Sequence, residues 1–292
     1  MATLLTGASG FIGRRVLKLL MQNNEFVYAF GRNYPKEIDH LSSVKWIHGD
    51  IATGKGLEDI PWKDISQVIH LAASGVKASH RNWSEAISVN VVGTQRLLTC
   101  ISAQRVCPKL FLARTFYEKL IHQAPGLLNN PYIATKLASS ELGFMFARHY
   151  PEAVCFGTFF QVYGPGDAPE NVLSYAAREI KSGGKAVIGS GKGLRDWIYI
   201  DDAARAVVAS IKHTHSGQQT TVDIGNGSLH SIRGVVERLA EICGRNPEDA
   251  VRFNSSLDRS DVDLQAQAEE FPTSWSPSVS LDDGLTALLS SL

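Results

Sequence analysis

The chain has 292 residues, 44% hydrophobic and 20% charged, a balance that suits a globular fold with a sizeable core and excludes a disordered or low-complexity chain. Lysine plus arginine and aspartate plus glutamate both number 29, so no net field draws it to nucleic acid or an anionic membrane; an anionic ligand must be met by local groups. The four cysteines (Cys100, Cys107, Cys155, Cys243) form no CxxC pair and no zinc-type spacing with histidine, so neither a disulfide framework nor a metal site is expected.

The first apolar run, "ATLLT" (2–6), opens the chain as a strand. No basic region with a long apolar stretch precedes it, and no segment approaches the ~18 apolar residues that span a bilayer, so a cytoplasmic protein without membrane contact is expected. Strand-length runs recur at "FVYAFG" (26–31), "VKWIHGD" (44–50), "QVIHLAA" (67–73), "KLFLART" (109–115) and "AVCFGTFF" (153–160). Helical periodicity lies between most of them, at 11–22, 83–103 and 132–149. This alternation predicts parallel βαβ units in a doubly wound, Rossmann-type α/β sheet. Beyond "VYGPGD" the texture is mixed: a helix over 171–182, a glycine-rich, hairpin-like passage "GGKAVIGSGKGLRDWIYIDD", and a helix over 201–213. The tail reads as a strand-like piece and a helix opening at Ser280 or Leu281. The expected division is a dinucleotide-binding domain over 1–160, with a returning segment near 194–226, and a smaller mixed α/β substrate-binding region over 161–292. The cleft between them is the default ligand site.

Between the first strand and the first helix lies "TGASGFIGRR" (6–15). Gly7, Gly10 and Gly13 stand three apart: the first permits a tight turn, the second lets a pyrophosphate approach the backbone, and the third lets the helix pack on the strand. Phe11 and Ile12 open the helix whose N-terminal N–H groups and dipole point at the phosphates. Further on, "YIATK" places Tyr132 and Lys136 four apart, on one helix face. An ammonium beside a phenol favours the phenolate, which makes Tyr132 a candidate proton-exchange group.

These stretches together resemble the extended branch of the short-chain dehydrogenase/reductase superfamily, in particular its nucleotide-sugar epimerases, dehydratases and reductases, through nearly the whole chain. "HGDI" resembles the step after the third strand, which implies Asp50 at the adenine amine and Ile51 on the ring. "VIHLAA" resembles the strand that backs the cofactor, with Leu71, Ala72 and Ala73 at its end, and "VNVVGT" the helix centred on Asn90. The resemblance implies Thr115, at the end of "LFLART", as the third catalytic group beside Tyr132 and Lys136, although the usual run of serines is missing. It implies a homodimer through the 83–103 and 132–149 helices.

In the second half, Arg195 matches the arginine that grips the sugar nucleotide's phosphates, Asn171 and Val172 the residues beside the nucleobase, and Arg259 a second phosphate contact. Two positions near the sugar depart from the pattern: Thr158 stands where an arginine is usual and Gln161 where an asparagine is usual. Family members that use NAD end the second strand with an acid; here Gly31-Arg32-Asn33 follows it. Arg32, with Arg14 past Gly13, is placed to grip a 2′-phosphate, which favours NADP, with NAD as the alternative if Arg32 only stacks on adenine or faces solvent. Phe116-Tyr117-Glu118 follows Thr115 in place of the dehydratases' Asp-Glu pair, which disfavours 4,6-dehydration. The expected activity is NADPH-dependent reduction of a nucleotide-linked 4-keto-6-deoxyhexose. Epimerisation by transient oxidation is the alternative, and a non-catalytic NADP sensor the third reading.

Overall fold

The computed structural model describes residues 2–33, 42–76, 82–212, 219–258 and 263–292. In chain order its first part runs β1 (Ala2–Thr6), α1 (Phe11–Gln22), β2 (Phe26–Gly31), β3 (Val44–His48), β4 (Ile65–His70) and α2 (Trp83–Ala86). A π-helical turn (Ile87–Gly93) joins α2 to α3 (Thr94–Ser102) without a break; β5 (Lys109–Thr115), α4 (Pro131–Ala147) and β6 (Val154–Phe159) follow. The remainder comprises β7 (Gln161–Tyr163), α5 (Val172–Lys181), β8 (Ala186–Ile188), β9 (Leu194–Tyr199), α6 (Ile200–Lys212), β10 (Thr220–Ile224), β11 (Leu229–Ser231), α7 (Ile232–Ile242), α8 (Pro247–Ala250), β12 (Val251–Phe253) and α9 (Leu281–Ser290).

Seven parallel strands form the main sheet in the order β10-β6-β5-β4-β1-β2-β3. Strands such as β1 and β6 are buried on both faces, which is why they read as continuous apolar runs. Helix α1 buries Gly13, Val16, Leu17 and Leu20, one stripe at i, i+3, i+4 and i+7, against one layer of core. Helix α4 lies on the other face and is seated closely. A Cβ at Gly143 would come within 2.4 Å of Leu112 and 2.8 Å of Phe156, so only glycine lets α4 approach β5 and β6 to this distance. The strand order reverses between β1 and β4, and the crevice beyond their carboxyl ends is where this architecture binds ligands.

Two expectations of the second half are corrected. The glycine-rich passage is not a hairpin: β8 pairs in parallel with β12, whereas β9 pairs antiparallel with β11 and parallel with β7. The strand-like tail carries no strand among the described residues; 264–279 is a strap held by buried carboxylates. Asp196 accepts from the N–H of Ala268 (2.9 Å), Asp223 from Glu269 (3.0 Å) and Asp202 from Val279 (2.9 Å), so side chains supply the acceptors that a neighbouring strand would otherwise offer. Ser280 then caps α9 by accepting from the N–H of Asp283.

Candidate active site

The turn after β1 forms the floor of a cleft of about 530 Å³ at the reversal point. Gly7 has φ +75°, and a Cβ there would meet the Leu71–Ala72 backbone at 2.7 Å. A Cβ at Gly13 would fall 2.0 Å from the carbonyl oxygen of Gly7. The bare backbone so formed, with the N-terminus of α1 above it, fits the pyrophosphate of a dinucleotide. Gly10, Phe11, Ile12, Arg14, Arg32, Leu71 and Ala73 line the cleft, with Arg14 and Arg32 solvent-exposed.

Four cofactor residues named from the sequence stand outside that lining and act behind it. Asp50 turns its carboxylate to the N–H of Ala52 (2.9 Å), and Ile51 is buried in the core against Gly93. Asn90, on the π-helical turn, accepts from the N–H of Ser74 (2.8 Å) and donates to Ser74 O and Thr135 Oγ1, bracing the cleft wall against α4. Ala72 is similar, its N–H donating to Thr6 Oγ1.

Tyr132 and Lys136 both line the cleft from the first turns of α4. Pro131 starts that helix and Asn130 caps it by accepting from the N–H of Tyr132, so the tyrosine's place follows from "NNPY". The Tyr132 hydroxyl is hydrogen-bonded to Thr115, and Lys136 Nζ donates to Ala113 O at 2.7 Å. Thr115 is buried at the end of β5 and is not among the residues that line the cleft.

The electrostatics differ from the sequence expectation. Burial holds the Tyr132 hydroxyl above its ordinary value; the Glu118 carboxylate and then Tyr117 add to this, and only the Thr115 hydrogen bond opposes it. Burial lowers Lys136 to about 8; Glu118 acts against this and Arg114 with it. Desolvation therefore outweighs the help that an ammonium gives a phenolate.

A second cavity of about 400 Å³ adjoins the first, and Val76 and Asn171 line both. Gln161, Val172 and Arg195 line it, as do Tyr117 and Trp197. Arg195 is buried, donating to the carbonyls of Leu194 (2.8 Å) and Leu264 (2.9 Å). Its neighbour Asp196 is engaged instead with the N–H groups of Asn226, Gly227 and Ala268. Arg259 lies outside the described residues.

A comparison with protein families matches residues 3–225 to the description "NAD dependent epimerase/dehydratase family". The chain belongs to that family. It is 30% identical over 316 residues to a UDP-glucuronate 4-epimerase of Thermodesulfobacterium geofontis, a match spanning 97% of this chain and 93% of that protein. It is 27% identical to a UDP-glucose 4-epimerase of Halalkalibacterium halodurans, over 95% and 91% of the two chains. The crystal structure of the UDP-glucuronic acid 4-epimerase from Bacillus cereus, in complex with UDP-glucuronic acid and NAD, superposes with a TM-score of 0.84 at 25% identity, covering 100% of this chain and 98% of that one. The expected membership of the extended short-chain dehydrogenase/reductases therefore holds, and with it the Rossmann-type α/β fold. Among the alternatives weighed from the sequence, these likenesses favour epimerisation over keto-sugar reduction.

Several residues of this epimerase/dehydratase family member were not singled out from its sequence. His70 lies buried between Thr6 Oγ1 (2.7 Å from Nδ1) and Thr94 Oγ1 (3.0 Å from Nε2), and Thr94 continues to Ser139. Its only sequence signal is an isolated histidine in an apolar strand. Glu118 is buried beside Thr115, and Asp167, raised to about 6 by burial, accepts from Asn171 Nδ2 at 2.7 Å where the two cavities meet. Among the described residues no cluster of metal-ligating side chains occurs, and no helix is long and apolar enough to cross a membrane.

Proposed function

We propose that the protein is an NAD(P)-dependent nucleotide-sugar epimerase that inverts a hydroxyl-bearing carbon, C4 of the sugar by analogy with its relatives. One observation carries this reading: Thr115, Tyr132 and Lys136 are joined through the end of β5 at the wall of a dinucleotide-sized cleft that opens onto the Arg195 cavity. When bound, the nicotinamide supplies a reversible acceptor for hydride. Gly7, Gly10 and Gly13, with the first turn of α1, would hold its pyrophosphate. Tyr132 takes the hydroxyl proton as the carbon is oxidised and returns it on reduction. Thr115 steadies the Tyr132 oxygen, and the Lys136 ammonium, still largely charged at neutral pH, favours the phenolate. Arg195 holds the diphosphate, and Gln161, Asn171 and Val172 border the nucleoside and sugar. The outer faces of α2, the π-helical turn and α4 expose Trp83, Ile87 and Met145, which supports a homodimer packed through these helices.

The test is NMR observation of C4 inversion when the protein is incubated with NAD or NADP and UDP-glucuronate or UDP-glucose. Tyr132→Phe is expected to abolish inversion while calorimetry shows unchanged cofactor affinity; a fully active Tyr132→Phe protein removes Tyr132 from the mechanism. Stoichiometric consumption of NADPH by a nucleotide-linked keto-sugar, without inversion, would move the assignment to the reductase. The second reading concerns the cofactor: two exposed arginines, Arg14 and Arg32, on the lining of one cleft favour a 2′-phosphate and thus NADP.

A further inference from the structure

The turn after β5 is built differently from an ordinary strand-to-helix connection. Residues 116–120 form one helical turn capped by Thr115, and the cap is reciprocal: the Thr115 hydroxyl oxygen accepts from the N–H of Glu118, and Glu118 Oε1 accepts from the N–H of Thr115 at 3.0 Å. Capping-box carboxylates are normally solvated, but the Glu118 side chain is fully buried, and its second oxygen accepts from Arg114 Nε at 2.9 Å. Arg114 lies over the Phe144 ring, 5.1 Å from its centroid, and lines the cofactor cleft.

The consequence falls on the neighbouring helix. The Thr115 hydroxyl thus joins the Glu118 N–H on one side and the Tyr132 hydroxyl on the other. One residue before the ion pair, Ala113 O receives Lys136 Nζ. Residues 113–115 therefore touch both groups of α4, and Glu118 holds two of the three, Arg114 and Thr115.

We propose that Glu118 is a positioning residue for the Thr115–Tyr132–Lys136 set, its ionised carboxylate locking the end of β5 and supplying the negative field in which both α4 groups titrate. The proposal rests on the roles given above to Tyr132 and Lys136. A glutamine could make the same cap; burying a carboxylate is costly even when paired, so the charge itself has a use. The groups facing Tyr132 from the turn are Glu118 and Tyr117; those facing Lys136 are Glu118, Arg114 and, from β4, the neutral His70. Of these only Glu118 is an anion; its charge favours the ammonium of Lys136 and the neutral phenol of Tyr132.

Glu118→Gln keeps the acceptor for Thr115 N–H and deletes the charge. Two readouts follow. In the cofactor-free protein, competitive acetylation of Lys136 across pH, read by mass spectrometry of its peptide, is expected to give a midpoint below that of the wild type. In the epimerase assay, the acid limb of the kcat–pH profile, set by Tyr132, is expected to move to lower pH. A cap without an electrostatic role leaves the acetylation midpoint where it was, and that result overturns the proposal. Should the single variant not fold, Arg114→Met/Glu118→Gln, which leaves no unpaired buried ion, is compared with Arg114→Met, so that only the carboxylate's charge differs; equal midpoints in those two proteins overturn the proposal. If the wild type inverts no nucleotide sugar, the function assigned above falls while the acetylation titration still judges Glu118.

Discussion

His70 offers a quantitative test of the buried framework under the cofactor turn. Thr94 Oγ1 donates to Asn90 O (2.7 Å), so toward His70 it can only accept, which makes Nε2 the protonated nitrogen. Nδ1 is then the acceptor for the Thr6 hydroxyl, whose oxygen receives the N–H of Ala72. A second ring proton has no place in this chain. Burial first, and the charge of Lys136 second, lower His70 to about 3 from its ordinary 6.5. Between these values the unfolded chain binds a proton that the folded one refuses, so stability rises with pH through this window and is lost on acidification. At pH 5 the 1.5 units below 6.5 correspond to about 2 kcal/mol, and at pH 4 to about 3 kcal/mol. His70→Gln retains a donor and an acceptor without titrating. Urea unfolding at pH 7 and pH 5 is expected to show wild type losing about 2 kcal/mol more than His70→Gln, other groups cancelling in the difference. Equal losses in the two proteins, or a histidine NMR titration of His70 near 6.5, would refute the reasoning.

Two further substitutions address the cofactor. Gly13→Ala places a methyl group against the Gly7 carbonyl, backbone on backbone with nothing flexible to yield, and is expected to cost about 2–3 kcal/mol of stability together with loss of dinucleotide binding; wild-type melting and affinity would contradict the packing role of Gly13. Arg32→Ala should weaken NADP(H) by ~10–100-fold while leaving NAD(H) nearly unchanged, read by calorimetry with all four forms. Equal losses for both pairs would sink the 2′-phosphate contact.

What was legible in the sequence follows from how local each determinant is. The glycine turn, α1 and the Asn130–Pro131 start of α4 are set by residues a few positions apart, and their positions could be read directly. The pairing of β8 was not legible, because a three-residue strand has no periodicity to name its partner, and the one it finds, β12, lies over sixty residues away. The strap over 264–279 escaped for a related reason: its acceptors are aspartates on β9, α6 and β10. Asp50 and Ile51 could be located after β3, but their orientation depends on Ala52 and Gly93, which spacing alone does not fix.

The acid–base behaviour of Tyr132 was the least legible feature, since a four-residue spacing reports that two side chains share a helix face and says nothing of the solvent they lose. Desolvation raises the phenol and lowers the amine, so each moves toward its neutral form, and the pair by itself does not generate a base. Two contacts act the other way, each on one group: the Thr115 hydroxyl favours the phenolate of Tyr132, and the Glu118 carboxylate favours the ammonium of Lys136 while adding to the rise at Tyr132. Both come from the end of β5 and the turn that follows it. The chemistry assigned to α4 is thus controlled from a neighbouring strand whose sequence, "ARTFYE", lacks the usual serines, and the departure from the family pattern falls where the site's electrostatics are set.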